Sequence, residues 1–174
     1  VDPRPGAIHV PPYDLNNDGY LDFFALISQE HEQVAVFMNQ GGSIQPTEPF
    51  HLESRWVGPD LTFGSSGIRL TDLDQDGDID ILYTNGDAFD NSFVNPRHGV
   101  QWLENRGEFE FTHHRLTDLV GAYKAVPGDL DMDGDLDIIA VAWLPENIQP
   151  VNVLTAPLAS IVCLEQTEQG EFVR

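Results

Sequence analysis

Apolar residues fall in short runs, not in helical stripes. Phe23-Phe24-Ala25-Leu26-Ile27, Ile81-Leu82-Tyr83 and Ile138-Ile139-Ala140-Val141-Ala142 are dense in β-branched and aromatic side chains. Gly, Pro, Asn and Asp bound them, and no stretch sustains a 3.6-residue apolar period. A second strand-like segment follows each run, as Val34 to Asn39, Val100 to Asn105 and Ile161 to Gln166. A Gly-containing turn then leads into a third, clearest in Gly107-Glu108-Phe109-Glu110-Phe111 and Gly170-Glu171-Phe172-Val173. The pattern predicts an all-β chain. Runs that are apolar at every position predict strands covered on both faces.

The same order occurs three times. Asp14-Leu15-Asn16-Asn17-Asp18-Gly19-Tyr20-Leu21-Asp22 returns as Asp72-Leu73-Asp74-Gln75-Asp76-Gly77-Asp78-Ile79-Asp80 and as Asp129-Leu130-Asp131-Met132-Asp133-Gly134-Asp135-Leu136-Asp137. The copies begin 58 and 57 residues apart, and a glycine (Gly6, Gly64, Gly121) lies eight positions before each. A unit of about 57 residues with roughly four short strands has the size of one β-propeller blade. The fold class is therefore all-β, a single segment of three blades over about residues 1–58, 59–115 and 116–174. A lone blade cannot bury its faces, so the repeats must stack. Because propellers close with about four to eight blades, the chain is expected to belong to a larger propeller, completed by further blades or other subunits.

Asp or Asn stands at the first, third, fifth and ninth positions of each loop, with Gly at the sixth. Such alternation makes an oxygen cage for a hard cation, the seventh carbonyl adding a ligand and Gly allowing the sharp turn. The ligands would be Asp14, Asn16, Asp18, Tyr20 (carbonyl) and Asp22 in copy one. In copy two they would be Asp72, Asp74, Asp76, Asp78 (carbonyl) and Asp80, and in copy three Asp129, Asp131, Asp133, Asp135 (carbonyl) and Asp137. Converging carboxylates repel one another unless a divalent ion intervenes. Calcium suits this many protein oxygens better than magnesium, which keeps its waters. Up to three Ca2+ are expected, weakest at Asp14–Asp22, where Asn16 removes a charge. An EF-hand is excluded, since its twelfth position holds Ala25, Tyr83 or Ala140 where Glu is needed. The competing reading is an acidic, solvated turn without metal.

The aspartate loop between an upstream Gly-containing strand and a downstream Trp102-Leu103-Glu104-Asn105 strand resembles the FG-GAP/VCBS repeat family. Members are calcium-loop β-propellers, found in integrin α-chain heads and in secreted bacterial proteins. The likeness covers nearly the whole chain, is cleanest over Asp72 to Phe111, and in Gly121-Ala122-Tyr123 resembles the secreted bacterial type. It implies recognition of a protein or glycan, with cell adhesion among the family's roles and calcium as a structural ion. The alternative it implies is scaffolding in an extracellular assembly or filament, beside a c-type cytochrome. A part of a secreted hydrolase comes third. Copy one departs from the pattern at Asn16 and at Met38-Asn39.

Charge and composition narrow this further. With 29 acidic and 8 basic residues the formal charge is −21, which excludes binding to a nucleic-acid backbone and attraction to an anionic membrane. No apolar run is long enough for a bilayer-spanning helix. Calcium at millimolar levels is met outside the cytosol, so an extracellular or periplasmic location is expected. No catalytic residue is assigned: no carboxylate pair stands apart from the loops, Gly64-Ser65-Ser66-Gly67 reads as a strand start, and the six histidines, without metal-ligand spacing, read as surface residues. Cys163, in an apolar run, reads as a small buried hydrophobe. From the ninth loop position to the aligned Asn or Gln of the next strand the interval is 17, 25 and 29 residues. Insertions at one point of a repeat map to one face. Phe89, Phe93, Arg97 and His98 of the second insertion are therefore the candidate partner-binding residues.

Overall fold

The apolar runs become the middle strands of three antiparallel sheets, each pairing with its neighbours in sequence. The computed structural model describes residues 4–39, 41, 51–88, 92–149 and 158–174, with main chain only at 51–54. The first sheet holds β1 (Ala7–His9), β2 (Pro12–Tyr13), β3 (Asp22–Ile27), β4 (Gln33–Met38) and β5 (His51–Val57), in the order β1-β3-β4-β5 with β2 also against β3. Pro11 and Pro12 lack N–H groups, which divides the opening strand into β1 and β2. The second sheet runs β6 (Ser65–Thr71), β7 (Asp80–Asn85), β8 (Gly99–Asn105), β9 (Phe111–Asp118). The third runs β10 (Ala122–Gly128), β11 (Asp137–Ala142), β12 (Ile161–Glu168), β13 (Glu171–Val173). No helix occurs among the described residues. In every sheet the aspartate loop joins the opening strand to the second.

The period of two along a strand sorts side chains between two neighbours. In the second sheet Ile81, Tyr83 and Leu103 join Phe24, Leu26, Val34 and Val36 of the first. From the opposite face Leu82, Val100 and Trp102 meet Ile138, Ala140, Val162 and Leu164 of the third. Every residue of β7 and β8 is buried, so the expectation of two-sided burial holds here. It fails in the third sheet, where Val141 of β11 is exposed and β12 alternates exposed and buried residues. Val162 and Leu164 face the second sheet, while Ile161 and Cys163 face outward. Cys163 is therefore exposed, not a buried hydrophobe, because apolar character on both faces of a strand does not ensure that both are covered.

Each opening strand carries a β-bulge at the same place, with Ile8, Ser66 and Tyr123 as the extra residues. The glycine eight positions before the loop starts the strand at positive φ: Gly6 +93°, Gly64 +77° and Gly121 +75°. Its carbonyl accepts a main-chain N–H from Ser28, Gly86 and Trp143 respectively, at 2.9, 2.8 and 2.9 Å. A Cβ on Gly121 would lie 2.5 Å from the Trp143 oxygen. Substituting Gly121→Ala is expected to cost about 2–4 kcal/mol, adding backbone strain to overlap, and to lower Tm by roughly 5–15 °C. Gly128→Ala, with no atom within 4 Å of the new methyl, should change stability by no more than about 0.5 kcal/mol. Thermal melts of the two variants check the contrast.

Candidate metal centre

The three loops share one backbone path. Position six is Gly at φ +88°, +100° and +103° (Gly19, Gly77, Gly134), and position four is also left-handed, at 56°, 59° and 68° in Asn17, Gln75 and Met132. Short acceptor side chains fold back on the loop to hold it. The third residue accepts the N–H of the fifth (Asp18 to Asn16 3.2 Å, Asp76 to Asp74 3.3 Å, Asp133 to Asp131 3.2 Å). The fifth accepts the N–H of the seventh, from Tyr20, Asp78 and Asp135 at 2.9, 2.9 and 3.1 Å.

The ninth aspartate does something different. Asp22, Asp80 and Asp137 are buried, and both oxygens of each accept main-chain N–H groups. Oδ2 takes the second loop residue: Leu15 at 2.9 Å, Leu73 at 3.0 Å and Leu130 at 3.0 Å. Oδ1 takes a residue just past, at the end of, or within the following strand: Asn39 after β4 at 2.6 Å, Asn105 of β8 at 2.8 Å and Gln166 of β12 at 3.0 Å. The side chains of Asn39, Asn105 and Gln166 then reach back to the carbonyls of Leu21, Ile79 and Leu136. This clamp has a sequence signal, the Asn or Gln at an aligned position, but its role is visible only in the pairing.

Three of the four predicted side-chain ligands converge in each of the second and third loops, without Asp76 in the one and without Asp137 in the other. Ligand atoms of Asp72, Asp74 and Asp80 lie within 4.8 Å of one another, and so do those of Asp129, Asp131 and Asp133. Asp72 Oδ1 and Asp135 Oδ1 are shielded from solvent without a hydrogen-bond donor. Acceptor atoms hidden without donors fit a cation, and the all-oxygen donor set fits a hard one. The Asp14–Asp22 loop differs: the Asn16 amide donates to Asp18 Oδ2 at 2.9 Å, using an oxygen that an ion would need. Glutamines tie the second loop to the third repeat: Gln75 donates to the Gly134 carbonyl of the third loop at 2.9 Å, and Gln169, between β12 and β13, to the Asp74 carbonyl at 2.8 Å.

Burial without counter-charge raises carboxyl pKa values here. Asp80 is pushed up to about 6 by desolvation, against the lowering effect of its bonds from Asn105 and Leu73. Asp74 is raised by burial and then by Asp76. Asp135 is raised by desolvation and by Asp133.

Against this geometry the FG-GAP-like repeat family model matches residues 14–83 and again 84–140, well over half of the chain. The chain belongs to the FG-GAP-like repeat family. No curated protein and no solved structure matches it. The repeat unit of this family is a structural and recognition module, generally without enzymatic activity.

In this FG-GAP protein the two long insertions meet. Phe93 forms a parallel bridge with Gln149 of the third repeat, closed by Val94 N–H to the Gln149 carbonyl at 2.9 Å and Gln149 N–H to the Ser92 carbonyl at 2.6 Å. Phe93 is 60% exposed, while Arg97 pairs with Asp60. His98 is not a surface histidine: it is 2% exposed, packs by Gly64, and burial followed by Arg115 lowers its pKa to about 4. Phe89 lies outside the described residues. Sequence reasoning missed Glu32, which is buried between the first two sheets. It accepts the Ser65 N–H at 3.0 Å and the Ser65 hydroxyl, whose oxygen also bonds the Tyr83 hydroxyl. Desolvation raises the pKa of both Glu32 and Tyr83.

The raised values fix a sign. A carboxyl whose folded pKa lies above its unfolded 3.8 contributes most to stability when protonated, and that contribution is lost as pH rises through the folded value. With cations chelated, melts at pH 5.5 are expected to lie several degrees above those at pH 7.5, the loss levelling off once pH passes the Asp80 value of about 6. A Tm at pH 5.5 no higher than at pH 7.5 would contradict the assignment.

Proposed function

We propose that the three sheets are blades of a calcium-bound β-propeller and that the protein is a non-enzymatic recognition module acting outside the cell or in the periplasm. The observation that carries this reading is the convergence of Asp72, Asp74 and Asp80 and of Asp129, Asp131 and Asp133, with Asp72 Oδ1 shielded and lacking a donor. First, third and fifth side chains would hold the ion, and the ninth aspartate would both anchor the loop and present its remaining lone pairs. When bound, calcium supplies positive charge where carboxylates converge; its role is structural. A site with Kd of about 10⁻⁴ M gains about 1.4 kcal/mol at 10⁻³ M free calcium. Three ions would leave the formal charge of −21 at about −15.

The recognition surface would be the paired insertions, where exposed Phe93 supports contact with a glycan or protein. Scaffolding within an assembly is the second reading, favoured by Val141, Ile161 and Val173 lying exposed on the third sheet. Phe93→Ala separates the two. Loss of glycan or peptide binding with assembly intact supports recognition, and the reverse supports scaffolding.

Calcium is expected to raise Tm by several degrees relative to chelator, with bound metal approaching three per chain. It should also cancel the stabilisation by acid, because protons then compete with the ion. No bound metal and an unchanged melt would overturn the reading. Asn16→Asp frees the Asp18 oxygen and adds a carboxylate, so calcium titration should show the Asp14–Asp22 site tightened about tenfold.

A further inference from the structure

The opening strands of the three sheets enclose a cavity of about 500 Å³, lined by residues of β1, β2, β6 and β10 together with Leu82 and Thr84 of β7. All three bulge residues, Ile8, Ser66 and Tyr123, lie on its wall. Bulges re-aim side chains and cluster beside binding sites. The charge of this wall runs against the rest of the molecule. The chain has 29 acidic residues, yet none is among the described residues lining the cavity. Arg69 and Lys124, the chain's single lysine, both line it.

Elsewhere the cations are spoken for. Arg97 pairs with Asp60, Arg106 with Glu104 and Arg115 with Asp118, and Arg174 donates to the Asp118 carbonyl. Arg4 and Arg55 also have partners. Among the described residues Arg69 and Lys124 have no acidic partner, although the mean field of a −21 chain would supply one readily. Arg69 and Lys124 are both exposed on this wall, so they leave uncompensated positive charge in reach of a soluble anion. The rings of Tyr13 and Tyr123 and the Ser66 hydroxyl share the cavity, and His9 accepts the Ile68 N–H through Nδ1 at 3.0 Å, leaving Nε2–H to donate. The Ser66 hydroxyl donates to the Ala122 carbonyl at 2.7 Å and so keeps acceptor lone pairs for a ligand. Flat rings, a hydroxyl acceptor and an imidazole donor on a wall with two cations fit a ring carrying both hydroxyl groups and a carboxylate.

We propose that this cavity binds a sugar acid of monosaccharide size, with Arg69 and Lys124 holding its carboxylate. The assignment rests on the recognition reading above and gives it a ligand class and a second surface. The experiment is calorimetric titration of D-glucuronate into the calcium-loaded chain, with D-glucose as the neutral match. Saturable binding of glucuronate, at least about tenfold tighter than glucose, is expected. Arg69→Gln and Lys124→Gln should each weaken it about tenfold. Arg106→Gln, whose guanidinium pairs with Glu104 away from the cavity, should leave it unchanged.

Equal affinity for glucose overturns the proposal, as does full glucuronate binding by the Arg69→Gln/Lys124→Gln double variant. So does binding of a hexaglutamate peptide without binding of glucuronate, which would make the cavity a peptide seat. The melt with and without chelator separates the two levels. A chain stabilised by calcium that ignores glucuronate loses the cavity assignment alone. Glucuronate binding without any calcium effect removes the metal reading and keeps the cavity.

Discussion

In each repeat one buried carboxylate is held by two main-chain N–H groups that come from different parts of the chain. Asp22, Asp80 and Asp137 join the loop's second residue to Asn39, Asn105 or Gln166, so the loop cannot shift without breaking both bonds. Bonds to a charged acceptor contribute about 1.5–3 kcal/mol each, and burying the charge opposes them. For Asp80 burial is the larger influence on its protonation. The loop positions one, three and five are aimed by this clamp. Where carboxylates converge, in Asp72, Asp74 and Asp80 and in Asp129, Asp131 and Asp133, they do so on a main-chain path held by the ninth residue.

The stacking of sheets follows from the same arrangement. Since the clamp sits where β3, β7 and β11 begin, it fixes which alternate residues of the middle strands face each neighbour. Ile81 and Tyr83 turn toward the first sheet and Leu82 toward the third. A slip of one residue would exchange these sets and place the wrong side chains in both cores. The Glu32–Ser65–Tyr83 bonds add a polar constraint between the first two sheets, with every member buried.

Much of this was legible in the chain because repetition separates constraint from accident. A glycine eight residues upstream could be noticed three times, and the structure explains it by positive φ and a carbonyl that accepts the neighbouring strand's N–H. The loop acids and the sixth-position glycine were equally plain. Position four was not, since Asn17, Gln75 and Met132 share a left-handed backbone but no chemistry, and Met132 is 89% exposed. Cys163 and His98 show the limit of reading residues by their neighbours in sequence. The first lies in an apolar run yet faces outward, and the second lies in a polar loop yet is buried. Which insertions touch is likewise a fact of tertiary pairing, carried here by Phe93 and Gln149.

The uniqueness of two side chains has a practical side. Cys163 is the only thiol and stands on the outer face of β12, while Lys124 is the only side-chain amine and stands on the cavity wall. Maleimide chemistry at the thiol and acylation of the lysine amine would therefore mark two different surfaces of one sheet, without any engineered residue. Tethering through the thiol leaves the cavity open, whereas coupling through the lysine side chain closes it. The natural sequence already separates the two faces for attachment and for readout.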